Sequence, residues 1–365
     1  MSARTRRRST AAAVALTAGI TAGAALLLSA CGPEDVGATG TATPSAAKSG
    51  PAKGGAGGAK VPNGSNGSAA KGGTGSAASA QPAVSAAPAL VNGTAHNGLT
   101  ISNGTRYVVM NGTRVDFGTA VRDLSWAPDG RHAVFVDGDG DLAISNPDGS
   151  GRVVVARNPG GQNWSHPTWQ LRKNDSENGY PGANDIFWAI RPNGGVSRLY
   201  GVAATAHNGT PKPITLNHES GEGIPALPAG NNVWPSAGGT HGTAVYANTA
   251  DGEVYIRDDY LRQQGSALTP GSEPAMSPTD SQDIVFVRSA HGHDHLFLEH
   301  TDDAGRHLRD LTPNATTDYT EPAFSADGTT IAARTSGGIV TVPVNGSHTP
   351  VKVSGYVGLP AYRAF

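Results

Sequence analysis

The chain has 365 residues, with 27 basic and 29 acidic side chains and a formal net charge of −2. This near balance gives no electrostatic footprint for nucleic acid, and we expect no nucleic-acid partner. The chain contains 50 glycines, 25 prolines and a single cysteine. One cysteine excludes a framework of intrachain disulfide bonds, so stability must come from a packed core.

The N-terminus has the pattern of an export signal. Arg6, Arg7 and Arg8 precede an uncharged run over residues 11–30, and small residues lead into Cys31. This pattern is typical of a signal peptide with a lipobox. By resemblance to bacterial lipoproteins, the Cys31 thiol would be diacylated and become the new N-terminus. We therefore predict a signal peptide over 1–31 and a lipid-anchored protein on the extracytoplasmic face of the cell membrane. An ordinary signal peptide and an uncleaved membrane anchor are the alternatives.

A linker follows the cysteine. Residues 32–92 are mainly glycine, alanine, serine and proline with scattered lysines. Such a segment buries too little apolar surface to offset the entropy of ordering, which predicts a disordered tether. At about 5 to 6 Å times the square root of its length, the tether would reach on the order of 40 to 45 Å.

The remaining chain, 93–365, repeats a four-strand unit. The first copy spans residues 123–155, where short apolar runs alternate with turns rich in proline, aspartate and glycine. Further copies open at Pro167, Pro235, Pro274 and Pro322. Their spacing is about 40 residues, nearer 70 in one step, which is the period of propeller blades. We predict an all-β fold, a six-bladed β-propeller of four-stranded blades.

The ends of the repeat region complement each other. A sixth opening phrase at Pro360 has no room for further strands before Phe365, whereas residues 99–117 hold three strand-like runs with no opening phrase. We expect the N-terminal strands to pair with the C-terminal strand in one blade. This closure would remove the exposed sheet edges of an open ring.

The repeats resemble those of TolB-type six-bladed propellers. The likeness lies in residues 126–130 with 133–136, and in residues 324–328 with 331–333. It covers about three quarters of the chain and implies a fold and an extracytoplasmic setting. TolB proteins carry an additional N-terminal α/β domain, and this chain has the linker in its place. The envelope role of TolB therefore does not transfer directly.

Aligning the repeats places one position of each blade in a ring. This position lies directly before the opening proline of a repeat, or before the residue that aligns with that proline. Its side chains differ in chemistry from blade to blade: Asp123, His166, Trp234, Glu273, Glu321 and Leu359. Because the first strand of a blade is innermost, we expect these residues to cluster near one mouth of the central channel. Convergent polar groups there form a candidate ligand site, and the carboxylates with His166 could hold a cation or a cationic ligand. The alternative is a set of solvated strand starts.

A histidine cluster is the sharpest metal-like motif. His291, His293 and His295 surround Asp294, and imidazoles with a carboxylate suit zinc or nickel. The repeat register places His291 and His293 in the hairpin between the second and third strands and His295 in the third strand. Alternation would point His293 and His295 to the same side, so a divalent metal is the cofactor that this chain could hold. A solvated turn is the competing interpretation.

Two insertions interrupt the regular period. Residues 172–184 lie between the first two strands of the second blade, and residues 218–232 join that blade to the third. Long loops on rigid scaffolds often carry function. We expect the second loop to share the face of the acidic ring, with His218, Glu219 and Glu222 near Trp234.

The sequence favours a binding or scaffold module over an enzyme. It contains no Gly-x-Ser-x-Gly elbow and no free cysteine for nucleophilic catalysis. We expect a monomer that binds an unknown envelope protein or small ligand at the channel mouth. Two alternatives stay open: a metal-dependent lyase or hydrolase acting on carbohydrate, and a sensory accessory lipoprotein of a membrane kinase.

Overall fold

A computed structural model describes residues 91–217, 226–239, 241–260, 265–280 and 282–365. The signal peptide, Cys31 and nearly all of the linker lie outside these residues. In the described part every regular element is a β-strand, and no helix there is long and apolar enough to span a membrane. The all-β prediction is confirmed.

The strands form six four-stranded antiparallel sheets. The first three strands are β1 (Leu99–Ser102), β2 (Tyr107–Met110) and β3 (Thr113–Asp116). Blade 1 is β4 (Arg122–Trp126), β5 (Ala133–Val136), β6 (Leu142–Ser145) and β7 (Val153–Ala156). Blade 2 is β8 (Gln162–Arg172), β9 (Ala183–Pro192), β10 (Arg198–Ala203) and β11 (Lys212–Pro213). Blade 3 is β12 (Asn232–Gly238), β13 (Thr243–Asn248), β14 (Glu253–Arg257) and β15 (Gly265–Pro270).

The last nine strands complete the ring. Blade 4 is β16 (Ser272–Met276), β17 (Asp283–Ala290), β18 (His293–Asp302) and β19 (Gly305–Asp310). Blade 5 is β20 (Thr320–Phe324), β21 (Thr330–Thr335), β22 (Gly338–Pro343) and β23 (Val351–Ser354). The final strand, β24 (Leu359–Tyr362), pairs with β1, so blade 6 has the order β24-β1-β2-β3. The structure confirms the predicted six-bladed propeller of four-stranded blades.

The closing blade joins the two ends of the repeat region. Strands β24 and β1 are in unbroken antiparallel register, from Leu99 opposite Tyr362 to Ser102 opposite Leu359. The Thr100 hydroxyl donates to the Ala361 carbonyl at 2.9 Å and accepts from Trp126 Nε1 at 3.0 Å. One buried hydroxyl thus connects both halves of blade 6 to blade 1.

The C-terminal tail adds a second clasp to blade 1. Arg363 donates from Nε to the Gly130 carbonyl at 2.7 Å, and its guanidinium lies 5.5 Å from the Trp126 ring centroid. Gly130 has a φ of +67°, and a Cβ atom there would overlap the Ala364 carbonyl oxygen. The glycine of the Pro-Asp-Gly turn therefore lets the tail pass against blade 1.

The hydrophobic core lies between the blades. Six apolar clusters occur in the described residues, and each combines side chains from two neighbouring blades. Between blades 1 and 2, for example, Val134 and Val155 pack with Trp164 and Trp188. Each sheet is consequently apolar on both faces, which explains uninterrupted apolar strands such as Ala133–Val136.

The closure predicts a strong dependence on the last residues. Deletion of residues 360–365 removes most of β24 and exposes the edge of β1, at a cost of at least about 5 kcal/mol in lost pairing and burial. We expect the melting temperature to fall by more than about 10 °C in a calorimetric scan. Removal of Phe365 alone, whose side chain is 81% exposed, is the control. An unchanged melting temperature for the longer deletion would refute this closure.

Candidate functional site

Five of the six aligned ring positions occupy the same local structure, a β-bulge in the innermost strand. In blade 1 the register shifts between Arg122 and Ser125, so that Asp123 and Leu124 together face Phe135. The same two-against-one shift occurs at the ring residue of blades 2 to 5. Each of these five residues therefore lies inside its strand at a bulge rather than at a plain strand start.

The bulges have an uncommon backbone conformation. The five residues have φ between 50° and 54°, in the left-handed region: Asp123, His166, Trp234, Glu273 and Glu321. Aspartate and histidine tolerate this region, but tryptophan and glutamate rarely enter it. In four blades a proline follows the ring residue. The proline lacks a backbone N–H, but no hydrogen bond between strands is lost, because the extra residue of a bulge takes no part in the hydrogen-bond ladder. Strained backbone of this kind concentrates at functional sites.

A fully buried residue backs each bulge on the second strand. The residues opposite the five bulges have no exposed surface: Phe135, Trp188, Tyr246, Phe286 and Ala333. Four of them are aromatic, and they form part of the packing between blades. This backing holds each bulge, so the ring residues are positioned by the core rather than by flexible loops.

The ring residues contact one another from blade to blade. Asp123 Oδ2 accepts from the backbone N–H of His166 at 3.2 Å, and the His166 ring lies 4.6 Å from the Trp234 ring between centroids. Glu273 Oε2 accepts from the backbone N–H of Glu321 at 2.5 Å. The structure therefore brings the five polar and aromatic candidates together around one mouth of the channel.

The sixth position differs. Leu359 pairs with Ser102 in the unbroken register of the closing blade and has no positive φ. Its aliphatic side chain lines the same cavity but offers no polar group. The ring is consequently asymmetric, with its polar groups on five blades and an apolar gap at blade 6.

One arginine missed by the repeat alignment belongs to the mouth. Arg334, on β21, lies with its Nη1 3.0 Å from Glu321 Oε2, and its Nε donates to the Thr320 hydroxyl at 3.2 Å. The contact with Glu321 is an ion pair without hydrogen-bond geometry, because Oε2 has no hydrogen-bond partner among the described residues. Arg334 faces Thr320 in the blade register, the position before the bulge, and this cross-strand pairing is not readable from the repeat alone.

Burial shifts the titration of three ring residues. It raises the pKa of Glu321 to about 7, with Arg334 opposing the shift and Glu273 and Asp123 adding to it. Burial also raises the pKa of Glu273, against the hydrogen bond from the Glu321 N–H. It lowers the pKa of His166, which keeps the imidazole neutral near pH 7. When they are ionised, the carboxylates at the mouth therefore carry more negative charge than the neighbouring positive side chains compensate.

The ring residues line a cavity of about 310 Å³ in the channel. Two residues after each ring position, the lining of the cavity carries a small side chain: Ser125, Thr168, Ser236, Ala275, Ala323 and Ala361. Two of these also join neighbouring blades, because Thr168 Oγ1 accepts from the Ala237 N–H at 2.9 Å and Ser236 Oγ from the Met276 N–H at 3.1 Å. The volume is at the lower end of the range for small-molecule pockets.

Three buried polar atoms at the mouth have no hydrogen-bond partner among the described residues. They are His166 Nδ1, Trp234 Nε1 and Glu321 Oε2. Leaving such an atom without a hydrogen bond costs about 1 to 3 kcal/mol in folding free energy. A ligand that formed hydrogen bonds with these atoms would recover part of that cost. They supply one donor, the indole N–H, and acceptors on the carboxylate and the neutral imidazole.

The histidine cluster lies in blade 4, with His291 in the predicted hairpin and His295 in the third strand, but His293 already belongs to that strand and pairs with Ala290. The β18 strand begins at His293, whose Nδ1 is 3.1 Å from Asp318 Oδ1. His295 is buried, with Nδ1 2.9 Å from Asp310 Oδ2, and its ring centroid is 6.1 Å from that of His291. Among the described residues no group of three or more His, Cys, Asp or Glu side chains could share a metal ion. A metal at these histidines stays a prediction without geometric support.

The first insertion, between two strands of blade 2, is held against blade 3. The loop between β8 and β9 is anchored by Asp175, whose carboxylate accepts from the Tyr260 hydroxyl, and by Arg172, which donates to Asp259 Oδ1 at 2.9 Å. The rings of Tyr180 and Tyr260 lie 4.6 Å apart. Of the second insertion, His218, Glu219 and Glu222 lie outside the described residues.

The fold and site define a six-bladed β-propeller with a polar channel mouth. No protein-family model matches the sequence, and no curated protein matches it. Similar solved structures include YCF48 from Cyanidioschyzon merolae, with 12% identity, coverage of 72% of this chain and 84% of that one, and a TM-score of 0.42.

Two further structures show the same kind of likeness. The Cps50 (Swd1) β-propeller domain from Myceliophteria thermophila has 10% identity, coverage of 74% and 91%, and a TM-score of 0.41. An oligogalacturonate lyase in complex with manganese has 12% identity, coverage of 67% and 75%, and a TM-score of 0.45. The six four-stranded sheets of the structure itself confirm the propeller part of the predicted resemblance, whereas the TolB-type family stays a prediction.

The raised pKa of Glu321 predicts a pH-dependent penalty. Between its ordinary pKa of 4.5 and about 7, the folded state binds more protons than the unfolded state, so stability falls as pH rises through this window. Glu321→Gln cannot ionise. We expect the variant to gain about 2 to 3 kcal/mol relative to the wild type between pH 4.5 and pH 8, measured by urea unfolding. Glu177→Gln, at an exposed glutamate, is the matched control. Parallel stability curves for the wild type and Glu321→Gln would contradict the shift.

Proposed function

We propose that this protein is a lipid-anchored, extracytoplasmic binding module that engages a ligand or an envelope protein through the channel mouth. The observation that carries the proposal is the ring of five bulges, which converges on one cavity and retains unpaired polar atoms. β-Propellers commonly serve as protein-binding scaffolds. A TolB-type lipoprotein is the form of such a module that the repeat motif and the N-terminal pattern favour.

The geometry supports binding more than catalysis. One oxygen of Asp123 and one of Glu273 accept backbone N–H groups of the next blade, and Glu321 is paired with Arg334. In the described part of the chain these carboxylates therefore act first as rigid positioning groups. No nucleophile with an adjacent base appears among the candidates. The metal-dependent lyase or hydrolase has no specific observation in its favour.

The anchor accounts for the linker. A diacylated Cys31 at the membrane and a tether of about 60 residues would hold the propeller on the order of 40 Å from the lipid surface. At that distance the channel mouth is accessible to soluble envelope ligands. The same arrangement suits an accessory subunit beside a membrane kinase, which shares the proposed binding chemistry.

The proposed mouth can be tested by photo-crosslinking in intact cells. A photoreactive residue at Leu359 faces the cavity without removing a polar ring group, and the same residue at Val351, 58% exposed on β23, is the control. We expect adducts at Leu359, seen as a change in intact mass, and their loss when Glu273→Gln and Glu321→Gln are added. Equal labelling at both positions, or no adduct at Leu359, would argue against a channel-mouth site.

The anchor predicts the loss of lipid attachment in a cysteine variant. Cys31→Ala removes the thiol that lipidation requires, and we expect the variant to lose the incorporation of labelled fatty acid that the wild type shows in growing cells. The propeller should melt at the same temperature, because residue 31 lies well before the first strand. Equal fatty-acid labelling of Cys31→Ala and wild type, or no labelling of the wild type, would refute lipid attachment at Cys31.

A further inference from the structure

We propose that the channel mouth recognises an organic cation, a protonated amine or a guanidinium, that also carries a hydrogen-bond acceptor. This inference rests on the proposed function, since it assigns the chemistry of the ligand at the same mouth. The site consists of Asp123, His166, Trp234, Glu273 and Glu321, which line the cavity of about 310 Å³.

The charge of the mouth favours a cation. Three carboxylates from blades 1, 4 and 5 line the cavity, and the nearby cations are Arg334, already paired with Glu321, and Arg122 beside Asp123. His166 is buried and neutral, so it adds no positive charge. A ligand cation would supply the charge that these buried carboxylates lack, whereas an anion would face all three.

The spacing of the carboxylates favours an organic cation over a metal ion. A metal needs its ligands at about 2.0 to 2.6 Å from a single point. The described residues contain no set of three acidic or imidazole groups in such an arrangement. The carboxylates belong instead to different blades around a wide mouth, and an ammonium or guanidinium group can reach them with several N–H donors of its own.

The unpaired atoms add a directional requirement. Glu321 Oε2 and, in its neutral form, His166 Nδ1 can accept hydrogen bonds from the cation. The indole N–H of Trp234 can only donate, so it requires an acceptor on the ligand. The ring centroids of His166 and Trp234 lie 4.6 Å apart, so both groups belong to the same part of the mouth. A ligand that carries an amine and a hydroxyl or carbonyl oxygen a few bonds apart satisfies both.

The cavity also suits a short apolar stem. Besides the ring residues, its lining includes small side chains of the six inner strands, several prolines, and larger apolar side chains such as Met276, Phe324 and Tyr362. A four-carbon chain would fit this volume and displace water from an apolar wall. The same chemistry can come from a free small amine or from a lysine side chain of a protein partner.

Matched probes test the inference on the full-length protein. Four compounds share a four-carbon stem: 4-amino-1-butanol, butylamine, 1-butanol and 4-hydroxybutyrate. We expect saturation-transfer NMR titrations to show 4-amino-1-butanol binding at least about tenfold more tightly than 1-butanol and 4-hydroxybutyrate. Its affinity should rise from pH 5.5 to pH 8 as Glu321 ionises, with Glu273, Asp123 and Arg334 as the charged neighbours of that carboxyl.

Variants separate charge from shape. Glu273→Gln with Glu321→Gln preserves the side-chain volumes, and we expect it to lower the affinity for both amines at least about tenfold, whereas Glu177→Gln on the exposed loop should not change it. Trp234→Phe removes only the N–H donor and ring area, and it should abolish the advantage of 4-amino-1-butanol over butylamine. A cooperative melting transition at or above the temperature of the wild type would show that each variant is folded.

The outcomes distinguish the inference from the proposed function. If 1-butanol or 4-hydroxybutyrate bound more tightly than the amines, and the Gln variants lost that binding, the inference of an organic cation would be overturned. The proposed channel-mouth site would remain. Absence of binding by all four compounds would also overturn the inference of an organic cation. The crosslinking experiment at Leu359 would then test the proposed function independently. Binding of Nα-acetyl-lysine methylamide as well as the free amine would support a protein side chain as the source, and binding of the free amine alone a small molecule.

Discussion

The structure depends on the closure of the ring by β24 and β1. Each core cluster in the described residues lies between two blades, so every blade needs a neighbour on both faces, and an open ring would leave two apolar sheets exposed. The pairing in blade 6 joins residues more than 250 positions apart, as between Thr100 and Ala361. The Thr100 hydroxyl and the tail at Arg363 extend this closure to blade 1. The central cavity exists only because the closure is complete.

The site follows from a local departure from the sheet pattern. A regular inner strand would alternate its side chains between the two faces of its blade, whereas a bulge re-aims one residue and terminates local pairing. Five blades repeat this bulge and the closing blade does not. Because a buried residue backs each bulge, the ring is rigid, and the energetic cost of the positive φ values is offset by the core. The channel mouth is therefore preorganised, which reduces the ordering cost of binding.

Burial and charge act against each other at the mouth. Glu273 and Glu321 are held in a half-buried environment where ionisation is unfavourable, and one arginine compensates only part of their charge. The same carboxylates tie adjacent blades together through backbone N–H groups. The same residues therefore contribute to the stability of the fold and to the proposed binding site. A ligand that compensates the charge would stabilise the folded ring as it binds.

The sequence by itself determined the architecture, because the turn residues and apolar runs recur at a blade-like period and the two incomplete ends complement each other. It also aligned Asp123, His166, Trp234, Glu273 and Glu321 at one position. Only the tertiary structure decided that these residues lie inside bulges, that Leu359 departs from them, that Arg334 joins the mouth, and that His291, His293 and His295 separate. The reason is physical: periodicity reports which residues face a core, whereas backbone φ, cross-strand register and the spacing of charges arise when blades pack against each other.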